Sequence, residues 1–600
     1  MDKAIEYRIA PVNPAAHLFE VTLTVPEPDP AGQQFSMAAW IPGSYLIRDY
    51  ARNIVSIRAE SDGLGVQLEK LDKSRWLAAP VKKPLTVVMQ VFAFDDSVRG
   101  AHVDTTHAYF NGPCVFLETI GQADKPCVVH IEGPPKPYGK GWRVATSMER
   151  HHAPIYGFGS YRAANFAELI DHPVEIAELC IGEFSVRGIP HAIAIRGRQS
   201  ADMPRFCHDI EKICATHMDL LGLPADLDRY LFLLHTPGEG YGGLEHAWSS
   251  SMVTSRDSLP RWGQDELSEE YRGLLGLISH EYFHLWNVKR LRPAAFRPYD
   301  LSAESHTGQL WIFEGITSYY DDLALLRAGL IEVDSYLELI GRVMTRVNRG
   351  AGRLRQTVED SSYDAWIKFY KQDANAGNAI VSYYAKGALI ALSLDLKLRD
   401  ETDGRATLDH VMRECWRRYG ETGVGLAEGE FEAICTEIAG FSLQDFFDAA
   451  VRGTGELPLD QLLKRHGVDV QYRAASGMLD KGGKPASVTA EVWFGANIAN
   501  RGDKTIVTAV SNDSPAEKAG ISPGDELLAI DGLRISAGSL DAVVRRHRVN
   551  DKVPVAVFRG DELRMLELRF QAAPTNTVFL SLATDPSTDA LARRQRLLGN

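Results

Sequence analysis

His280-Glu281-Tyr282-Phe283-His284 lies inside a stretch of helical length, residues 265–287, with Glu269 and Glu270 near its start, where carboxylates favour the positive end of a helix. On a helix, positions i and i+4 share a face, so His280 and His284 can reach one ion. Glu281 stands about 100° further round, beside the ion rather than on it. That is where a base must stand to take a proton from water that a metal acidifies. Gly276 and Gly273, one and two turns earlier, leave room on the same face. The plain alternative is two histidines that only pack against their neighbours.

A catalytic zinc takes three protein ligands and keeps a fourth position open. Trp311-Ile312-Phe313-Glu314-Gly315-Ile316-Thr317-Ser318-Tyr319-Tyr320 offers Glu314 within an otherwise apolar and aromatic run. An unpaired buried carboxylate is costly, so a cation partner is the economical explanation for it. These residues lead us to expect one Zn2+ per chain on His280, His284 and Glu314. Seven residues on, Asp321 falls two turns along the same face and could accept the second N–H of a ligand histidine. Asp322 is its rival, and a solvated aspartate is the plain alternative.

Around this centre the chain is an ordinary globular one. It has 600 residues, formal net charge −14, 45% hydrophobic and 24% charged residues, which excludes wholesale disorder and simple coiled coil. The acidic balance argues against nucleic acid as a partner. The basic clusters Arg545-Arg546-His547-Arg548 and Arg593-Arg594-Gln595-Arg596 read as solvated helix faces. No apolar run is long enough for a membrane span. Met1-Asp2-Lys3-Ala4-Ile5-Glu6-Tyr7 has no apolar signal core, so the expected location is cytoplasmic as the chain stands, or periplasmic if a signal has been removed. Seven cysteines without a CxxC pair fit reduced core thiols.

Hydrophobic periodicity divides the chain. Alternation at 17–25 and the branched and aromatic run 85–94 (LTVVMQVFAF) predict strands in the first 180 residues, with a turn at Pro42-Gly43 inside Trp40-Ile41-Pro42-Gly43-Ser44-Tyr45. Tyr230 to His235 (YLFLLH) predicts a strand before the glycine-rich 238–243, and helical periods follow at 318–329 and 378–399. Strand signals return at 468–472, 486–493, 504–510, 526–530, 553–558 and 563–570.

H-E-x-x-H followed by W-x-x-E-G resembles the gluzincins, thermolysin-like zinc peptidases with a His2Glu site. Gly242-Gly243-Leu244-Glu245-His246 resembles the G-x-M-E-N strand of M1 aminopeptidases, and Tyr384-Ala385-Lys386-Gly387 resembles their Y-x-K-G helix. The long gap from His284 to Glu314 and His246 in place of Asn depart from the M1 pattern. With Trp40 to Tyr45 (WIPGSY), His284-Leu285-Trp286-Asn287-Val288-Lys289-Arg290 and a C-terminal β module, they point to the M61 glycyl aminopeptidases. Ser514 to Ile521, Pro523-Gly524-Asp525-Glu526-Leu527 and Asp531-Gly532 resemble bacterial PDZ domains, with Trp493-Phe494-Gly495-Ala496 in place of the carboxylate-binding loop.

The resemblance implies a multidomain α+β chain. It comprises an N-terminal β domain (1–180), a thermolysin-like α/β catalytic domain (181–350), a helical domain (351–465), a PDZ domain (466–575) and a polar tail (576–600). It implies release of small N-terminal residues, Gly and Ala, from peptides with a free N-terminus. Glu245 would pair with the substrate ammonium. Tyr384, or Tyr383 if the register shifts, would hydrogen-bond the oxyanion. Gly242 and Gly243 would let the substrate backbone come close. The PDZ domain could take a peptide C-terminus or bind nothing. Lys289 and Arg290 read as solvated or structural charges, with a place near the cleft as the alternative. The alternatives are a PDZ-guided zinc endopeptidase and a non-catalytic PDZ scaffold.

Overall fold

The computed structural model describes residues 3–598. Met1, Asp2, Gly599 and Asn600 lie outside the described residues, and with them the outer ends of the segments expected at 1–180 and 576–600. The chain divides into two compact units, Met1–Ser305 with Trp416–Leu426, and His306–Cys415 with Ala427–Asn600. The division at Ser305 falls within the segment expected as the catalytic domain. Among the described residues no helix is long and apolar enough to cross a membrane, and all seven cysteines are free.

In the first unit, Leu18–Val25 puts Phe19, Val21, Leu23 and Val25 on a buried face, the period-2 pattern of a half-buried strand. It pairs with Ile5–Asn13 and with Leu85–Phe92 in an eight-stranded sheet. A separate five-stranded sheet follows. Its central strand, Tyr230–His235, is parallel to Ile189–Arg196 and to Ser249–Thr254, and that position inside a covered sheet suits its unbroken apolar run. Tyr241–Glu245 is antiparallel to Ser249–Thr254 and forms one edge. The histidine-bearing helix, Glu269–Phe283, is shorter than the stretch read from sequence. Ser268 caps it, its Oγ accepting from the Tyr271 N–H at 3.1 Å. Tyr282 anchors it to the sheet, its ring 4.8 Å from Tyr230 and 5.8 Å from Phe232.

The second unit holds the helices Ile316–Arg327, Val333–Arg349 and Ala385–Glu401 and the C-terminal β module. The module's strands Ala496–Arg501, Lys504–Val510, Glu526–Ile530, Lys552–Arg559 and Glu562–Arg569 form a sheet in that spatial order. Two expectations change here. Of 486–493 only Val492–Trp493 is strand. The polar tail is not a tail: Thr577–Leu582 pairs with Val468–Arg473, and Thr588–Leu598 is a helix. Val578 and Leu580 alternate into the core, and Thr345 Oγ1 on Val333–Arg349 accepts from the Val578 N–H at 2.8 Å. The Arg593 and Arg545 clusters are tied down rather than merely solvated. Arg593 pairs with Asp400 at 2.6 Å, and an Arg545 Nη2 donates to the Ser476 carbonyl at 2.5 Å.

Candidate active site

The first unit brings together His280, His284, Glu281, Gly243 and Glu245. The imidazoles of His280 and His284 are 4.7 Å apart with planes at 86°, so the planes cross and one ion can lie in both. His284 is buried, and its Nδ1 donates to the Asn287 carbonyl at 2.8 Å. A carbonyl only accepts, so Nδ1 carries the proton and Nε2 keeps a lone pair for a metal. The helix stops here, and the turn that follows offers this carbonyl; a backbone partner leaves no side-chain signature in the sequence.

Glu281 is 4% exposed. A Cβ at Gly243 would run into its carboxylate, so the edge strand passes directly over that carboxylate and Gly243 owes its missing side chain to Glu281. Gly242 is different: at φ +154 nothing lies within 4 Å of a Cβ there, so its backbone conformation, not a neighbour, calls for glycine. Two residues beyond Gly243, Glu245 projects from the same face of the strand. It is also 4% exposed, and its Oε1 has no hydrogen-bond partner among the described residues. A buried carboxylate oxygen left this way awaits a donor. Its neighbours Lys289 and His246 are committed to Asp171, at 2.8 and 3.0 Å. Burial alone would lower the Lys289 pKa, and the Asp171 carboxylate more than offsets it, holding the ammonium charged. Arg290 binds both oxygens of Asp226 at 2.9 Å. Lys289 and Arg290 are thus structural charges.

In the second unit Glu314 is 2% exposed on a single wide π turn, Trp311–Gly315, a local widening that recurs at functional sites. A Cβ at Gly315 would lie 2.6 Å from the Gly387 Cα. The glycines of W-x-x-E-G and Y-x-K-G therefore face each other, and the two backbones touch. This contact sets Tyr384 beside Glu314. Burial first, then the Glu314 charge, pushes the Tyr384 phenol well above its ordinary pKa, so it remains a hydrogen-bond donor at neutral pH. Phe369 stacks on it at 5.5 Å, and Tyr370 Oη lies 3.3 Å from its own. Asp321 Oδ1 accepts from the Asp322 N–H at 2.6 Å.

The first unit has another gathering of metal-type donors, Asp96, His102 and His107, absent from the sequence reading. The rings of His102 and His107 are 4.6 Å apart but at 6°, so no single ion lies in both planes. His107 instead faces Asp96 and Asp104 at 3.3 and 3.4 Å, and Arg196 pairs with Asp96 at 2.7 Å.

The fold that carries the crossed imidazoles and the carboxylate beside them is that of a metallo-aminopeptidase. The family model of the M61 peptidase N-terminal domain matches residues 6–178, that of the M61 glycyl aminopeptidases residues 273–390, and that of the PDZ domain residues 492–569. An aminopeptidase N family protein from Idiomarina loihiensis, known from its crystal structure, is 41% identical over 98% of this chain and 99% of its own, with a TM-score of 0.95. The chain belongs to the M61 glycyl aminopeptidase family. The M1 zinc metallopeptidase of Deinococcus radiodurans, bound to a Tyr-Ser-Ala substrate, aligns over 76% of this chain and 95% of its own at 11% identity and a TM-score of 0.49. A "Probable CtpA-like serine protease" of Staphylococcus aureus (strain COL) is 35% identical over 80 residues, 13% of this chain; the match spans 16% of that relative's length.

Proposed function

We propose that this protein is a zinc-dependent aminopeptidase that removes small N-terminal residues, Gly and Ala, from peptides with a free N-terminus. One observation carries the reading. A single edge strand presses Gly243 against the Glu281 carboxylate and projects Glu245 two residues further along the same face. Two strand residues span about 6.6 Å, the room one substrate residue needs between a carboxylate holding its amine and a base serving its carbonyl.

His280, His284 and Glu314 each offer one ligand atom, two imidazoles and a carboxylate, a donor set that suits zinc. The crossed ring planes and the tautomer fixed at His284 support this fit, with one ion per chain; Asp321 is a candidate to orient His280 through its second N–H. A zinc ion held by these residues supplies Lewis acidity to the scissile carbonyl and the attacking water. Glu281 takes the proton of that water and returns it to the leaving amine. Tyr384, kept protonated by its surroundings, donates to the oxygen on which negative charge develops. Glu245 receives the substrate ammonium in a charge-assisted hydrogen bond and so sets the exopeptidase register. The PDZ module presents Ala496–Arg501 at the edge of its sheet, where an extended peptide C-terminus could add as a strand.

A panel of aminoacyl chromogenic substrates, free and N-acetylated, with and without chelator, tests the reading. Chelator-sensitive turnover of free glycyl and alanyl substrates, with acetylated ones inert, is expected. Equal cleavage of both forms would make the protein an endopeptidase. No metal-dependent turnover would leave a peptide-binding scaffold.

A further inference from the structure

The N-terminal β domain reaches the Glu245 carboxylate at Gly43. Ala39 donates its N–H to the Leu301 carbonyl at 2.7 Å, and Trp40 Nε1 donates to the Asp300 carbonyl at 2.8 Å. Tyr45 stacks on Phe296, centroids 5.7 Å apart at 25°. Between these anchors Ser44 closes the turn, its N–H donating to the Ile41 carbonyl at 3.1 Å. Trp40, Ile41, Ser44 and Tyr45 are all buried, so the turn has no slack. At its tip Gly43 adopts φ +87, and a Cβ there would stand 2.5 Å from both Glu245 oxygens.

We propose that Gly43 is a positioning residue for substrate recognition: its bare Cα forms the wall against which the Glu245 carboxylate is held. The inference rests on the reading of Glu245 as the partner of the substrate amine. The turn is fixed at both ends and cannot retreat, so a side chain at 43 must displace the carboxylate. Glu245 is a strand residue whose backbone is paired with Ser250, so its side chain takes the whole displacement. The amine then loses its anchor, because the atoms nearest a side chain at 43 all belong to the Glu245 carboxylate. The same wall explains why the turn carries glycine more strongly than its left-handed backbone alone does. Gly63, at φ +76, has nothing within 4 Å of a Cβ.

The experiment compares zinc content, melting temperature and steady-state kinetics on glycyl and alanyl substrates for four variants. Gly63→Ala strains a backbone of the same hand but touches nothing, and should keep wild-type zinc content and kinetics even where its melting temperature falls. Gly43→Ala should retain zinc and lose about tenfold in kcat/KM, carried mainly in KM. Gly43→Asn, which tolerates the left-handed conformation better, should lose as much, which separates blockage from strain. In a Glu245→Asp background the carboxylate is withdrawn by one methylene, and adding Gly43→Ala should then cost less than about threefold. Wild-type kinetics in Gly43→Ala, or the same loss in both backgrounds, would overturn the proposal. If Glu245→Gln is itself without effect, the amine-binding reading falls and this inference with it. If Glu245→Gln is impaired but Gly43→Ala is not, only this inference falls.

Discussion

Two histidine pairs in the first unit are almost equally spaced, His280 with His284 at 4.7 Å and His102 with His107 at 4.6 Å. Both have carboxylates close by. They differ in one angle. The first pair is crossed at 86° and the second stacked at 6°. A metal binds an imidazole along a nitrogen lone pair, which lies in the ring plane. Crossed planes share a line on which an ion can sit, and stacked planes share none. The second pair sits instead in an ion-pair network, in which His107 faces Asp96 and Asp104 and Arg196 pairs with Asp96. Ring orientation, rather than composition and proximity, separates a pair that can share one ion from a pair that cannot.

The sharpest way to break this comparison is to count metal. His284→Ala should take zinc content from one per chain to near zero and activity to the chelated baseline, while His107→Gln should change neither. Zinc lost from His107→Gln would show that the stacked pair also binds. Glu281→Gln should keep its zinc and lose about 10²–10⁴-fold in kcat, the usual contribution of a positioned base; near-normal kcat would remove Glu281 from that role. Glu245→Gln should keep both zinc and fold. Its kcat/KM toward free-amine substrates should fall by about 1.5–3 kcal/mol, one hydrogen bond to a charged group, or roughly ten- to a hundredfold. Wild-type rates on Gly- and Ala-substrates would place the amine elsewhere.

The smallest effect belongs to the stacked pair and concerns pH. Burial by itself lowers the His107 pKa, but hydrogen bonds to Asp104 and Asp96 reverse this and raise it to about 9. A raised histidine pKa stabilises the fold fully below the unfolded value of about 6.5 and loses that contribution as pH rises through 9. His235 behaves oppositely. Burial, then Arg196, lower its pKa to about 4, so its neutral form is favoured and stability falls as pH drops from about 6.5 toward 4. Stability should therefore peak near neutrality. Thermal melts of His107→Gln should flatten the alkaline limb. An unchanged alkaline limb would mean that another group titrates there.

The helix bearing His280 and His284 was legible because its cues are local: helical length, acidic first turn and two histidines one turn apart. The central strand Tyr230–His235 was legible because it is apolar throughout. The boundary errors have equally local causes. Residues 486–490 look like strand but have no partner strand among the described residues, and Thr577–Leu582 looks like a tail because its six residues alternate too briefly to stand out. The stacked pair was invisible because Asp96, His102 and His107 sit at spacings that match no ligand pattern.

By itself the sequence determined that His280 and His284 share a face with Glu281 beside them, since i, i+4 geometry follows from the helix alone. It also singled out Glu245, Glu314 and Tyr384, through motifs that report residue identity. Only the tertiary structure decided why particular glycines accompany them. Gly243 is bare because Glu281 lies against it, Gly315 because Gly387 does, and Gly43 because Glu245 does. Each of these contacts joins residues far apart in the chain. A glycine records in sequence only that a side chain is missing; what would have occupied the same space is fixed by packing, because excluded volume acts between neighbours in space.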